Sequence, residues 1–420
     1  MSSIFEAAAS AARPCEASSS GQVVRFCGDG RVFWRLIARG AVLLMFTLGI
    51  YRFWLITDVR SFLWSHTRVD GDTFEYTGTA RELLIGFLMA VAILFPLNAA
   101  FFIVTLGLGD GVSLLALPLL ALLGPYAVFR ARRFRLSRTV YRGVRFHQTG
   151  SAWRYAICAV LWWTLIFISI GLAYPFAQAR LERFKMRHTF FGNLAGRFEG
   201  SGWRLFVRGL ALWMLTVVPF VTGIGATLAA IDWDTIASGT GDDPLSWLDA
   251  SGLAGATVYA VLTGIWLLLS FAILYPIFQA IVLRWWASGL RFGDVAVTSH
   301  LRNTQVLAVY ARFLGSALLF TLAAGVVVGI GWLSFYLLIG AIDTMMDEIV
   351  TTLAALAAYV AAALGYSAIY QATVRLGLWR CVVESLELTN VATLGQVRAA
   401  GEAASPVGEG LADALSVSGI

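Results

Sequence analysis

Lysine is almost missing from this chain: Lys185 is the single one among 31 basic residues in 420. Charged residues of both signs make up only 13%, against roughly 25% in soluble domains, which excludes an ordinary globular protein. Cysteine and histidine are scarce, with four of each. Cys15, Cys27, Cys158 and Cys381 have neither metal-type nor redox-type spacing, so no disulfide framework or metal site is expected. His-Glu-x-x-His, Cys-x-x-Cys, a phosphate-binding glycine loop with its lysine and Gly-x-Ser-x-Gly are all absent, and Gly107-x-Gly109-x-Gly111 sits in a short acidic turn. No enzyme activity and no cofactor is expected, nor is nucleic-acid binding. The excess of arginine over lysine is read as genome composition, not as phosphate chemistry.

What the chain has instead is apolar length. Hydrophobic residues reach 59%, in stretches near 34–56, 83–109, 111–128, 153–176, 204–231, 251–283, 306–341 and 349–374. Most reach the roughly 20 residues that cross a hydrocarbon core of about 30 Å. The first is free of charge only between Arg39 and Arg52, short enough for a re-entrant segment. The expected fold is therefore an all-α polytopic membrane protein of about eight transmembrane or re-entrant helices.

The helices are internally duplicated. Arg81, Gly86 and Pro96 recur at the same spacing as Arg204, Gly209 and Pro219, and Tyr51, Phe53 and Arg60 recur as Tyr174, Phe176 and Arg183. A shorter template, Phe62-x3-His66-Thr67, returns as Phe134-x3-Arg138-Thr139 and Phe184-x3-His188-Thr189. Each copy leads into an alternating tract with a glycine turn. Asp70-Gly71 and Arg142-Gly143 read as tight β-hairpins at the interface, because glycine accepts the positive φ these turns need. The chain divides into a disordered tail at 1–23, a first repeat at 24–145 and a second at 146–290 with an acidic insertion. A truncated third repeat of two helices fills 291–398, and a second disordered tail, rich in Gly, Ala, Ser and Glu, fills 399–420.

Phe26-x-Gly28-x-Gly30, Thr47-Leu48-Gly49-Ile50-Tyr51 with Trp54, Arg60, and Gly71-x2-Phe74-x-Tyr76 carry a resemblance. The chain resembles the YjgN-like proteins, multi-pass proteins of the bacterial inner membrane that belong to a domain of unknown function. The resemblance spans nearly everything between the tails and implies location and fold, not activity. Where that family tends to carry a basic residue two before Arg60, this chain has Asp58.

Loops at 232–250 and 342–348 carry acid and no base, while 180–208, 284–312 and 375–398 carry arginine, which puts the latter and the C-terminus in the cytoplasm. Eight spans then place Arg130–Arg154, with its arginines and no acid, outside. Three spans per unit makes the repeats inverted, as in transporters, and this arrangement is slightly favoured. Two spans plus a re-entrant segment makes them parallel.

Two functional readings follow. A small polar or ionic solute could bind between the proline-interrupted helices, at Pro96 with Asn98 and Pro219 with Thr222, where freed carbonyls need partners. Plain packing kinks are the commoner use of such prolines. Alternatively, Arg130, Arg132, Arg133, Arg135, Arg138 and Arg183 bind anionic lipid or a membrane partner, at about 1 kcal/mol per base near the surface. Orientation and snorkelling account for many such arginines. His66 and His188 fit interfacial anchors, since Arg138 holds the same slot. Pro96→Ala and Pro219→Ala are both expected to leave membrane insertion intact; a carbonate-extraction assay showing loss of insertion would make the prolines structural.

Overall fold

The fold rests on a computed structural model that describes residues 24–108, 113–238, 251–339, 344–400 and 404–415. The N-terminal tail, most of the acidic insertion, Gly109 and Gly111 lie outside them. Ten short strands form one antiparallel sheet in strict sequence order, β1 to β10. Between each odd strand and the next even strand, the chain departs into a helical excursion and comes back.

The excursions are five. From β1 (Val24–Phe26), α1 (Gly30–Phe46) leaves and α2 (Arg52–Ser65) returns to β2 (Thr67–Val69). From β3 (Asp72–Tyr76), α3 (Ala80–Leu108) leaves and α4 (Ser113–Ser137) returns to β4 (Thr139–Tyr141). From β5 (Val144–Gln148), α5 (Ala152–Ile168) and α6 (Tyr174–Arg187) lead to β6 (Thr189–Phe191). From β7 (Leu194–Phe198), the path runs through α7 (Gly202–Ala230), α8 (Trp233–Ser238), α9 (Leu253–Leu269) and α10 (Tyr275–Gly289) to β8 (Leu290–Phe292). From β9 (Val295–Ser299), α11 (Asn303–Ile339), α12 (Thr344–Tyr370) and α13 (Leu376–Glu384) lead to β10 (Leu386–Thr389). One hydrogen bond recurs at the root of all five: Cys27 N–H to His66 O, Thr77 to Arg138, Thr149 to His188, Glu199 to Gly289 and His300 to Ser385, each at 2.8 or 2.9 Å.

This pairing corrects the inverted arrangement. Backbone ladders cannot pair strands across a bilayer, so strands joined in one sheet lie on one face and every excursion starts and ends there. The first and fourth apolar stretches are not continuous helices. Leu48 and Ile170 take positive φ, each followed by a glycine at φ 89°, and the chain reverses at those points. The arms of α1 and α5 have 17 residues each, about 25 Å at 1.5 Å per residue, and their tips are apolar and open, with Leu48 94% and Phe167 86% exposed. Five helical stretches are long and apolar enough to cross a membrane: Ala80–Val104, Gly202–Ala230, Leu253–Gly289, Asn303–Ser334 and Ile349–Glu384. The all-α expectation of about eight helices is corrected as well: the helices are more numerous, and the separate interfacial hairpins are one continuous sheet.

Local chemistry explains the junctions. Thr67, Thr139 and Thr189 each donate their hydroxyl to the carbonyl four residues back, at 2.7, 2.9 and 2.8 Å, satisfying an acceptor that a helix end leaves open. His66 and His188 bond Phe62 O and Phe184 O at 2.8 Å through Nδ1, and the Arg138 guanidinium lies 5.5 Å over the Phe134 ring. The recurring Phe-x3-His/Arg-Thr template is thus a helix stop. Asp70-Gly71 and Arg142-Gly143 form the expected turns, with positive φ at all four residues. Inside the curl of the sheet, Phe74, Tyr141, Phe146, Phe191 and Phe292 touch in series at 4.6–6.4 Å. Trp64 and Trp379 stack at 5.1 Å and donate to Thr139 and Thr67, drawing the last excursion against the first. Cys158 and Cys381 are free thiols.

Residues beyond 399, expected to form a tail, instead hold α14 (Val407–Ala414). It wedges between α3 and α4 and packs on both. Ala412 is fully buried with Ala127 and Ala131, and a Cβ at Gly410 would fall 1.9 Å from the Gly86 carbonyl carbon. Gly410→Ala should therefore undock α14 and open residues 399–415 to limited proteolysis; Gly395→Ala, with nothing within 4 Å, should not.

Candidate functional site

The sheet-side ends of the returning helices enclose a cluster of charge, with Arg60, Glu182 and Glu409 buried and Arg132, Arg135, Lys185 and Arg375 half-buried. Arg60, five residues before α2 ends, is 3% exposed, and so is Glu409 on α14. They form an ion pair across 349 residues of chain. Arg60 also donates to the Tyr76 hydroxyl at 3.1 Å. Arg135 on α4 approaches the same carboxylate at 3.8 Å. Arg375, at the end of a π-helical turn spanning Gln371–Arg375, lies within electrostatic reach of Arg60 and Arg135 and donates to Gln371 at 2.9 Å.

The cluster continues along α4 and α6. Arg132 donates to Met186 Sδ at 3.5 Å and faces the charge of Glu182. Glu182, 6% exposed, pairs with Lys185 and accepts from Trp286 Nε1 at 3.3 Å. Among the described residues, Arg60, Arg132, Arg135, Arg375 and Lys185 are thus set against Glu182 and Glu409, and positive charge is in excess. The Nε atoms of Arg60, Arg132 and Arg375 and both side-chain polar atoms of Gln148 find no hydrogen-bond partner among the described residues. Burial pushes the Lys185 ammonium down, only partly offset by Glu182, and pushes the Tyr76 hydroxyl up against the pull of Arg60. Asp413 on α14 pairs with Arg52, yet burial still raises its carboxyl above the usual range.

The arginines singled out in the sequence take different places. Arg132 and Arg135 belong to the buried cluster. Arg133 donates to Gln148 O at 2.6 Å, Arg138 pairs with Glu82 at 2.5 Å, and Arg130 packs against Gly408. Arg183 lies elsewhere, in a cleft of about 450 Å³ with Trp162, Phe176, Arg180 and Trp203, donating to Gly200 O at 3.0 Å. Pro96 and Asn98 are exposed on α3, where Asn98 bonds its own helix at Leu94 O. Thr222 bonds Val218 O and Pro219 O within α7. The two proline helices are not brought together: α3 packs on α2 and α14, whereas α7 packs on α6, α9 and α10. Glu409, Arg375 and Glu182 were missed by sequence reasoning. For Glu182 a signal existed, since the shared helix stop aligns it with Arg60 and Arg132.

A second pattern lies at the outgoing helix starts. Arg31 and Arg35 on α1, Arg81 on α3, Arg154 on α5 and Arg204 and Arg208 on α7 are exposed, with Arg302 just ahead of α11. Trp34, Trp153 and Trp203 are 45–62% exposed beside them. The first turns of α1, α5, α7 and α11 contain no acid.

A sheet-rooted set of helical hairpins with five apolar helices long enough to cross a membrane is compatible with a membrane protein. Its family model matches residues 22–414: the chain belongs to the bacterial proteins of unknown function of DUF898, as the YjgN-like resemblance implied. The match ends at the last residue of α14. Among curated proteins and solved structures nothing matches it.

Arg60→Gln leaves Glu409 buried without its nearest partner, so it should cost about 3–5 kcal/mol of stability. Unfolding in mixed micelles should show this loss, and adding Glu409→Gln should recover part of it.

Proposed function

We propose that this is a multi-pass protein of the bacterial inner membrane, with its sheet and C-terminus in the cytoplasm, that binds the phosphate-bearing head groups of anionic lipids. The observation that carries the reading is the arginine at the start of each outgoing helix. A helix N-terminus bears partial positive charge and favours anions; here the exposed helix starts offer arginine, with acid only at α1, where Asp29 caps the helix, and at α3, where Glu82 pairs with Arg138. Lipid phosphates supply the missing negative charge, at about 1 kcal/mol per basic residue, and the neighbouring tryptophans suit the same interfacial depth. The single-faced sheet supports this, because it sets the five helix starts at one level. Arginine near the sheet, and the acid without base in the sequence of 232–250 and 342–348, support that orientation. An ancestral duplication of one helix-hairpin unit accounts for the recurring sequence template.

The cleft of Arg180, Arg183, Trp162 and Trp203 offers a head-group site: two guanidiniums for phosphate and aromatic faces for the glycerol backbone and upper acyl chain. Transport of a small polar or ionic solute, the other reading of the sequence, draws on Pro96 and Pro219, whose helices face different neighbours; it has the weaker support.

Native mass spectrometry of the purified protein should retain phosphatidylglycerol over phosphatidylcholine, and Arg180→Gln with Arg183→Gln should lower that retention several-fold. Arg142→Gln, at a hairpin tip already paired with Asp70 and Asp72, serves as the control. Equal retention of both lipids by the wild-type chain would contradict the reading.

A further inference from the structure

The cleft between α5, α6 and the start of α7 offers an anion more than its two guanidiniums. Arg183 spends one N–H on Gly200 O at 3.0 Å, and Arg180 is exposed with no hydrogen-bond or ion-pair partner among the described residues. Among those residues no acid lines the cleft; Glu182, which lies between the two arginines in sequence, is engaged by Lys185 and Trp286. Ser201, also in the lining, is the N-cap of α7, yet its hydroxyl makes no capping bond. Ser151 stands in the same slot ahead of α5, and there the hydroxyl accepts from the Arg154 N–H at 3.4 Å. Gly202 and Trp203 complete this side of the lining, and their first-turn N–H groups are of the kind a helix leaves without an intrahelical acceptor. Gly202 is seated against α6, where a Cβ would come within 3.1 Å of Pro175 O.

We infer that this cleft selects phosphate monoester lipids, of the phosphatidic acid class, over phosphodiester head groups. The inference rests on the anionic-lipid reading and gives that cleft its ligand class. A diester phosphate has two unesterified oxygens and a single charge, whereas a monoester has three and carries about −1.5 to −2 at pH 7. Guanidiniums bind phosphate bidentately through paired N–H groups, and a helix N-terminus binds it through backbone N–H groups. Arg180, Arg183, Ser201 and the first turn of α7 together make a donor set that three oxygens fill and two do not. The second ester of a diester takes the place of one acceptor oxygen and leaves a donor without its partner, which costs free energy in a site shielded from water. Trp162, Phe176 and Trp203 make the occupant a lipid: their aromatic faces suit the glycerol backbone and upper acyl chain at interfacial depth, and a soluble phosphomonoester would have nothing to set against them.

The test is native mass spectrometry of the full-length protein in neutral-detergent micelles with phosphatidic acid, phosphatidylglycerol and phosphatidylcholine at equal concentration, above and below the second phosphate pKa of about 6. Above it, the wild-type chain should retain phosphatidic acid several-fold over phosphatidylglycerol. Below it, where the monoester carries one charge, that ratio should fall toward one; arginine keeps its proton throughout, so the change belongs to the ligand. Ser201→Ala should lower the ratio several-fold, and Ser201→Asp, which puts a carboxylate in the same place, should lower it further, while Ser151→Ala should leave it unchanged. The wild-type comparison stands without any variant, so a folding defect in one of them does not shield the inference. Equal retention of the two anionic lipids, both above phosphatidylcholine, overturns monoester selection and leaves the anionic-lipid reading standing; equal retention of all three overturns both. A preference that persists below the phosphate pKa, or that neither Ser201 variant changes, also overturns selection by this cleft. Displacement of the lipid by an equal amount of glycerol 3-phosphate would make the ligand a soluble phosphomonoester and overturn the lipid assignment.

Discussion

Everything in this structure depends on the continuous backbone ladder that joins β1 to β10. In hydrocarbon an unpaired N–H or C=O costs several kcal/mol, so strands can pair only outside the bilayer or within a closed barrel. Here they pair in chain order, with one hydrogen bond repeated at the root of every helical excursion. That constraint alone makes all five excursions hairpins in the membrane sense. It also explains the reversals at Leu48-Gly49 and Ile170-Gly171: arms of 17 and 14 residues are too short to cross and return. The strained positive φ at a leucine and at a β-branched isoleucine is held by two bracketing helices at apolar, exposed tips.

The second consequence is electrostatic. The returning helices α2, α4 and α6, with the π-helical turn ahead of α13, bring Arg60, Arg132, Arg135, Lys185 and Arg375 into a shared low-dielectric space, where like charges repel strongly and each must be desolvated. Among the described residues, two carboxylates from distant parts of the chain, Glu182 and Glu409, moderate the cost. The exposed arginines on the outgoing helices meet the reverse situation, positive charge at positive helix ends but open to the interface, where lipid phosphate is abundant. Returning helices thus carry buried arginine and outgoing helices exposed arginine, and the two sets make different demands for anions.

How much of this was legible depended on range. The membrane class followed from composition, and the hairpin turns followed from Asp70-Gly71 and Arg142-Gly143, because turn chemistry is local. The Phe-x3-His/Arg-Thr template was visible as a repeat, but its meaning as a helix stop emerged only with the Thr67, Thr139 and Thr189 back-bonds. The fourth return was legible only as a degraded hairpin near Arg291 to Asn303, and the fifth escaped notice, because α10 and α13 enter their strands as Gly289-Leu290 and Ser385-Leu386, without the template. α14 was read as a tail for a plain reason: eight residues containing two glycines have no helical propensity to advertise, and their order is imposed by Arg60 and Gly86 more than 300 residues earlier. The choice between spanning and re-entering could not be made from apolar length, since Leu48 and Ile170 look like any other apolar residue.

The central claim is that all the β-hairpins share one face of the membrane. Single cysteines at Arg142, Asn193 and Asp294, in an otherwise cysteine-free chain, can be probed with an impermeant thiol reagent in intact and permeabilised spheroplasts. The account predicts one common pattern at all three positions, protected until the membrane is permeabilised. Labelling of the Arg142 position in intact spheroplasts, with the other two protected, would place β4 and β5 across the bilayer from β6 to β9 and contradict the sheet on which the rest is built.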